Sequence, residues 1–199
     1  MIGLTAQSAT QSVIKNIKQG IKMNTIETIR TRRSIRKFTD EKISDEAINL
    51  LKEIALRSPS SRNLDPWKFW FVQSPALLKE LAKAKTSGST LIDGAKLAII
   101  VGADENISDV WVEDCSIASI FLQLAAQTLG LGSCWVQIRN RNSQKSSSED
   151  FVKNILNIAQ TGIIPKNIRI CSIIAVGHPA EKRNPLEFSE LNFTKIADL

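Results

Sequence analysis

The chain has 199 residues, of which 43% are hydrophobic and 23% are charged, and its formal net charge is +6 at pH 7. This length suffices for one domain with a buried core, the composition is that of a globular rather than a disordered protein, and no apolar run approaches the ~18 residues that would cross a membrane. The positive charge favours an anionic partner, either a nucleic acid, a phosphorylated cofactor or an acidic surface, without deciding between them.

Residues 1–22 stand apart because no acidic residue occurs before Glu27. Their lysines and aliphatic side chains recur at roughly helical spacing, which permits a weakly amphipathic basic helix. An organelle-targeting peptide has this appearance but usually contains arginine, and this stretch has none. We therefore interpret residues 1–22 as a disposable N-terminal extension, or as sequence ahead of a start at Met23, and residues 23–199 as one domain.

Two helices are predicted between Asn24 and Pro59. Asn24 and Glu27 have the spacing of a helix N-cap with a reciprocal carboxylate. Ser44 precedes acidic residues and a helical apolar stripe, so we expect it to cap a second helix that ends before Pro59. The basic stretch that follows the first helix therefore lies at a helix end.

Three stretches predict β-strands. Residues 67–72 are rich in aromatics, with Trp67 and Trp70 interpreted as core, and they precede a short helix that follows Pro75. Residues 96–103 and 168–177 are continuous apolar runs, as expected for central strands whose two faces are both covered.

The stretch 110–129 predicts a long helix with apolar residues on all sides. Such a helix must be buried all round, and a chain of this size rarely encloses one by itself, so we expect a subunit interface. A polar loop at residues 143–150 leads into a further predicted helix at residues 151–158.

Residues 30–38, RTRRSIRKF, place five cationic side chains around Ser34. Clustered arginines can neutralise the phosphates of a nucleic acid, but the chain has no zinc pattern, no aromatic RNA-binding signature and no basic stripe along a helix. A solvated basic face or a nuclear-localisation patch is a plainer alternative. Guanidinium groups around a serine hydroxyl at a helix end also suit a single phosphate group.

No side chain is an evident catalyst or metal ligand. The only histidine, His178, has no second imidazole to pair with. The glycines of LGLGSCW do not form a dinucleotide fingerprint, because Gly130 and Gly132 follow a helix. The cysteines are odd in number, far apart and in apolar surroundings, which fits buried thiols in a reducing cytoplasm: Cys115, Cys134 and Cys171. These features favour a protein whose organic cofactor carries the electron chemistry.

Four motifs occur in an order and spacing similar to those of a known family: RRSIRKF, SPSSRNLDPWKFWFV, LGLGSCWV and AVGHPAEKRNP. Together they make the region from Asn24 to Pro185 resemble the nitroreductase-like family of FMN-dependent oxidoreductases. The resemblance implies an α+β sandwich with a mostly antiparallel central sheet flanked by helices. It also implies an intertwined homodimer with one FMN in each of two clefts at the subunit boundary.

The resemblance assigns roles in FMN binding to the first and last motifs. Arg32, Arg33 and Ser34 match a segment whose leading arginine and serine reach the phosphate and ribityl chain. Arg36 would lie near the pyrimidine edge of the flavin, where a fixed cation stabilises negative charge at N1 of the reduced ring. Two residues would close the phosphate site from the C-terminal side: Lys182 and Arg183.

The middle motifs would contact the flavin ring. Gln137 and Ile138 occupy positions whose backbone approaches flavin N4 and N5 in relatives. Asp65 replaces the glutamine that relatives often carry before the Pro-Trp pair, so a ring contact or a loop bond is expected to differ there. Four residues match a loop that crosses from the partner subunit to cover the ring: Pro59, Ser60, Ser61 and Asn63.

The resemblance implies that NADH or NADPH passes a hydride to flavin N5, and that a nitroaromatic, a quinone or a second flavin then takes the electrons. Stacking and proximity would supply most of the catalysis, so no catalytic side chain is expected. Two other interpretations remain open: a flavin-binding protein with little turnover, and a basic nucleic-acid-binding protein whose likeness to the family is incidental.

Overall fold

A computed structural model describes residues 24–159 and 164–199. The N-terminal extension predicted at residues 1–22 lies outside these ranges, so its interpretation stays a prediction. Within the described ranges the chain forms five helices and four strands, with the bounds α1 Thr25–Thr31, α2 Asp45–Leu56, β1 Trp67–Val72, α3 Pro75–Leu81, β2 Leu97–Asp104, α4 Trp111–Thr128, β3 Gly132–Gln137, α5 Ser148–Ala159 and β4 Ile168–Gly177.

The four strands form one antiparallel sheet in the order β1-β2-β4-β3. The central strands, β2 and β4, are the two continuous apolar runs of the sequence, and almost every residue in them is buried. β1 is the aromatic stretch and lies at one edge, where Trp67 is buried and Trp70 is half-buried against the core. The predicted α+β architecture with an antiparallel sheet is therefore confirmed.

Helices cover both faces of the sheet and divide the core into two layers. α3 and α5 pack on one face, against side chains that include Ile100 of β2 and Ile173 of β4. α2 and α4 pack on the other face, against Ile99 and Ile174. Because successive side chains of a strand point to opposite faces, a continuous apolar run serves both layers at once.

The helices begin where the sequence places capping residues. The side-chain oxygen of Asn24 accepts the N–H of Glu27 (2.9 Å), and the Ser44 hydroxyl accepts the N–H of Ala47 (3.2 Å). α5 begins at Ser148 rather than at the predicted residue 151. The acidic residues that follow Ser148 explain the earlier start, because they are favourable in the first turn of a helix.

One face of α4 remains exposed in the single chain. Cys115 and Leu122 are 0% exposed, but Ile117, Ile120 and Phe121 are 37%, 38% and 39% exposed. Further exposed apolar side chains lie on α1 and along the C-terminal stretch: Ile26, Ile29, Leu186, Phe188, Phe193 and Ile196. The chain thus leaves apolar surface uncovered, as a helix that packs against a second subunit would.

Candidate functional site

Two basic segments of the sequence meet at one end of the sheet: residues 32–38, the first basic segment, and residues 179–184, the second basic segment. The N–H of Arg36 donates to Oε1 of Glu181 (2.7 Å), across 145 residues of sequence. Two more hydrogen bonds join the segments, one from the N–H of Ala180 to the carbonyl of Lys37 (2.9 Å) and one from the Arg33 guanidinium to the carbonyl of Asn184.

This meeting point brings together half of the predicted cofactor-binding residues. The first basic segment crosses the outer side of β3, where Ser34 forms a parallel bridge with Ser133. The second basic segment follows the end of β4 and runs beside the first basic segment. Six predicted site residues therefore lie in these two neighbouring segments: Arg32, Arg33, Ser34, Arg36, Lys182 and Arg183.

Two glycines let the first basic segment lie directly against the sheet. Gly132 of β3 and Gly177 of β4 are cross-strand partners. A Cβ atom on Gly132 would stand 2.7 Å from Cγ2 of Ile35, and one on Gly177 would stand 2.9 Å from a ring carbon of Phe38. These distances are too short for carbon atoms, so only glycine fits without a shift. Sequence reasoning quoted both glycines within motifs but missed this packing role.

The meeting point is cationic but contains one carboxylate. Glu181 belongs to the second basic segment, and besides the N–H of Arg36 it accepts a hydrogen bond from the Arg183 guanidinium (3.1 Å). The N–H of Arg36, aided by the charge of Arg183, holds the pKa of Glu181 below its usual value. Sequence reasoning missed Glu181, although it stands inside the last motif. Besides this one acid, the two basic segments contain six cations: Arg32, Arg33, Arg36, Lys37, Lys182 and Arg183.

The outer edge of β3 presents backbone groups beside the basic segments. The carbonyl of Ser133 accepts the N–H of Ile35 (2.9 Å), so it points away from β4. Residues two apart in an antiparallel strand point their backbone groups the same way, so the N–H of Gln137 also faces the open edge. The N–H of Ile138 instead donates to the carbonyl of Cys171 (3.1 Å). Of the two residues predicted near the ring, Gln137 alone presents its N–H at this edge.

The loop at residues 58–65, named here the serine loop, has a rare backbone conformation. Arg62, Asn63 and Asp65 have φ values of 53°, 56° and 48°. This left-handed region is unfavourable for residues with a side chain. The Ser60 hydroxyl donates to Oδ1 of Asp65 (2.6 Å) and accepts the N–H of Asp65 (2.9 Å). Asp65, the residue that departs from the family pattern, therefore closes the loop on itself.

The serine loop lies far from the basic segments of its own chain. The N–H of Ser61 donates to Asp114 in the first turn of α4 (2.7 Å), whereas Gln127 near the end of α4 contacts Thr31, just before the first basic segment (3.3 Å). The stretch from Asp114 to Gln127 spans about 20 Å of helix. A single chain therefore does not bring the predicted loop residues to the other site residues: Pro59, Ser60, Ser61 and Asn63.

Four further observations concern the described residues. All three cysteines are buried, as predicted. In residues 24–159 and 164–199, no group of three or more His, Cys, Asp or Glu side chains could hold a metal ion, and no helix has the length and apolar character to cross a membrane. A cavity of about 600 Å³, lined in part by Asn140, Glu149 and Arg169, lies at the opposite end of β4 from Gly177.

Comparison with known proteins identifies the family. Residues 29–178 match the model of the Nitroreductase family. A provisionally named NADH dehydrogenase/NAD(P)H nitroreductase of Archaeoglobus fulgidus is 34% identical over 163 residues, which cover 80% of this chain and 87% of that protein.

Two solved structures are similar along most of their length. An FMN-dependent nitroreductase from Clostridium difficile R20291 is 34% identical with a TM-score of 0.81, covering 87% of this chain and 98% of that one. A provisionally named nitroreductase of Desulfovibrio desulfuricans in complex with FMN is 27% identical with a TM-score of 0.67, covering 85% of this chain and 95% of that one. The chain therefore belongs to the nitroreductase family.

Proposed function

We propose that this protein is an oxidoreductase that binds FMN, oxidises NADH or NADPH and reduces a small organic acceptor such as a nitroaromatic or a quinone. One observation carries the proposal: two basic segments that are distant in sequence converge beside an open strand edge. Family membership and the similarity to an FMN-dependent protein support it. We place its activity in the cytoplasm, because free buried thiols suit a reducing compartment.

The residues at the meeting point fit the phosphate group of FMN. Guanidinium and ammonium groups form short charge-assisted hydrogen bonds to phosphate oxygens, and the Ser34 hydroxyl adds a neutral one. Glu181 holds the N–H of Arg36 and the side chain of Arg183, so it orients these groups while the surrounding charge stays positive. We assign phosphate binding to Arg32, Ser34 and the two cations of the second basic segment.

The open edge of β3 fits one side of the flavin ring. The N–H of Gln137 would donate to a ring acceptor, while its side chain is held by the Trp135 indole and the carbonyl of Arg139 (both 2.9 Å). Arg36 would supply a fixed positive charge near the ring edge, which favours a reduced, negatively charged ring. When bound, FMN would supply the redox chemistry, taking a hydride from the nicotinamide and passing electrons to the acceptor.

A homodimer would complete the site. The serine loop stands about 20 Å along α4 from the basic segments of its own chain, so its residues would reach a flavin held by a partner subunit. The exposed side chains Ile117, Ile120 and Phe121 of α4 supply an apolar surface for that partner.

The visible absorption spectrum of the purified protein tests the proposed cofactor. We expect a yellow protein with the spectrum of bound oxidised flavin, and a colourless protein that fails to bind added FMN would contradict the proposal. Anaerobic mixing with NADH or NADPH tests the proposed activity. Bleaching on a catalytic timescale is expected from an oxidoreductase, whereas persistent colour would indicate a flavin-binding protein with little turnover.

A further inference from the structure

We propose that Asp114 is a positioning residue, whose buried carboxylate holds the serine loop in the shape that completes the flavin site of the partner subunit. The inference rests on the proposed function, because it takes the ligand to be FMN and the assembly to be a homodimer. Asp114 lies on α4, outside the residues assigned to cofactor binding.

The contacts of Asp114 point to the serine loop. Asp114 is 1% exposed, and its Oδ1 accepts the backbone N–H of Ser61 (2.7 Å). Its Oδ2 accepts the hydroxyl of Ser108, which is also 1% exposed (2.8 Å). A carboxylate is costly to bury unless hydrogen bonds compensate it, and here both donors come from loops rather than from α4. An apolar residue at this position would avoid the cost but could not bind the loop.

The serine loop needs an anchor because of its backbone. Arg62 and Asn63 follow Ser61 directly, and both have positive φ. Asparagine tolerates this conformation, but an arginine such as Arg62 persists in it only where surrounding contacts over-determine it. The bonds between Ser60 and Asp65 close the loop internally and do not attach it to the fold. Two other attachments exist. The Ser58 hydroxyl donates to the carbonyl of Ile54 (3.2 Å), but it holds only the start of the loop. Arg62 pairs with Asp109, but both side chains are exposed, and exposed ion pairs contribute little.

Asp114 also connects the loop to the expected dimer surface. Ile117 and Phe121 lie three and seven residues further along α4, on the same side of the helix, and both are exposed. The helix that packs against the partner would therefore also set the position of the loop that reaches across. The carboxylate of Asp114 is the buried link between these two parts.

Variants of Asp114 test the proposal, with Ser119→Ala as the matched control. Ser119 is buried on the same helix, and its hydroxyl lies 3.1 Å from that of Ser172 on β4. Asp114→Ala removes both acceptor atoms, whereas Asp114→Asn keeps one acceptor for Ser61 and can donate to the Ser108 hydroxyl. Two quantities are measured on the full chain: the Kd of FMN from flavin fluorescence, and backbone hydrogen exchange at residues 58–65 in the FMN-free protein.

Asp114→Ala is expected to weaken FMN binding about 10- to 100-fold, the range for a lost hydrogen bond to a charged group, and to accelerate exchange in the serine loop. Asp114→Asn should keep FMN affinity within about threefold of the wild type, because both contacts can re-form. Ser119→Ala should lower thermal stability and leave both quantities unchanged. Unchanged FMN affinity and exchange in Asp114→Ala, or an equal loss of affinity in Ser119→Ala, would overturn the proposal.

A second variant of Asp114 and the two measured quantities separate a failure of this inference from a failure of the proposed function. If Asp114→Ala does not fold, Asp114→Glu replaces it with the same expected results, because the carboxylate is displaced by one methylene group. A wild type that binds no FMN would contradict the proposed function, and hydrogen exchange would still decide the role of Asp114. A wild type that binds FMN, with Asp114→Ala unchanged in both quantities, would contradict this inference alone.

Discussion

Replacing Gly132 with alanine should push the first basic segment away from the sheet. The new Cβ atom would lie 2.7, 2.8 and 3.0 Å from Cγ2, Cβ and Cγ1 of Ile35. Carbon atoms prefer a separation of about 3.5–4.0 Å, so Ile35 must move by roughly 1 Å. Overpacking of this kind typically costs about 1–3 kcal/mol, and we expect Gly132→Ala to lower the free energy of unfolding by about that amount. FMN affinity should fall as well, because Ser34 precedes Ile35 and moves with it.

Chemical denaturation of the FMN-free protein measures this change, with Gly94→Ala as the matched control. A Cβ atom on Gly94 would meet no atom closer than 3.9 Å, so that variant should change the free energy of unfolding by less than about 1 kcal/mol. Ile35→Ala removes Cγ1 and Cγ2, so Gly132→Ala should cost less in that background than in the wild type. Equal costs in the two backgrounds, or a cost no larger than that of Gly94→Ala, would refute the packing role.

Three further variants test charge and assembly. Arg32→Ala should weaken FMN binding by about 1.5–3 kcal/mol through loss of a charge-assisted hydrogen bond, whereas Arg57→Ala, at an exposed site directly after α2, should not; FMN titration measures both. Burial raises the pKa of Glu149, but hydrogen bonds from Arg169 and a backbone N–H outweigh it, so the net pKa is lowered. Its stabilisation is therefore present above the unfolded pKa of about 4.5 and is lost as the pH falls through the folded value, so Glu149→Gln should flatten the acid limb of stability against pH. Phe121→Glu should place a charge in the expected dimer surface and yield monomers in analytical ultracentrifugation.

For each of these variants, one result would contradict the physical argument behind the prediction. Unchanged FMN affinity in Arg32→Ala would remove that residue from the phosphate site while leaving the fold untouched. An acid limb that is equally steep in Glu149→Gln would show that other carboxylates control acid unfolding. Dimers that persist in Phe121→Glu at micromolar concentration would exclude the exposed face of α4 from the interface.

The helices and strands could be predicted because their signals are local. β2 and β4 follow from continuous apolar runs, as expected for strands that are covered on both faces. The starts of α1 and α2 follow from Asn24 and Ser44, whose side chains accept N–H groups within the first turn. The apolar character of α4 on all sides predicted a helix that one chain cannot cover, and Phe121 is indeed left exposed.

The candidate site depends on contacts that sequence spacing does not reveal. Gly132 and Gly177 become partners only through the register of β3 and β4, and their small size matters only because Ile35 and Phe38 cross over them. Nothing next to Asp114 in sequence identifies the backbone N–H of Ser61 as its donor. The convergence of the two basic segments was expected from the family resemblance, since their charge alone is equally consistent with a solvated surface.

The affinity for FMN relative to riboflavin tests the central claim most directly, because the two ligands differ only in the phosphate group. If the two basic segments hold that phosphate, FMN should bind at least about 100-fold more tightly than riboflavin, since more than one charge-assisted hydrogen bond depends on it. The preference should also shrink as salt concentration rises, because the cations of these segments are partly exposed. Equal affinities for the two ligands would contradict the claim.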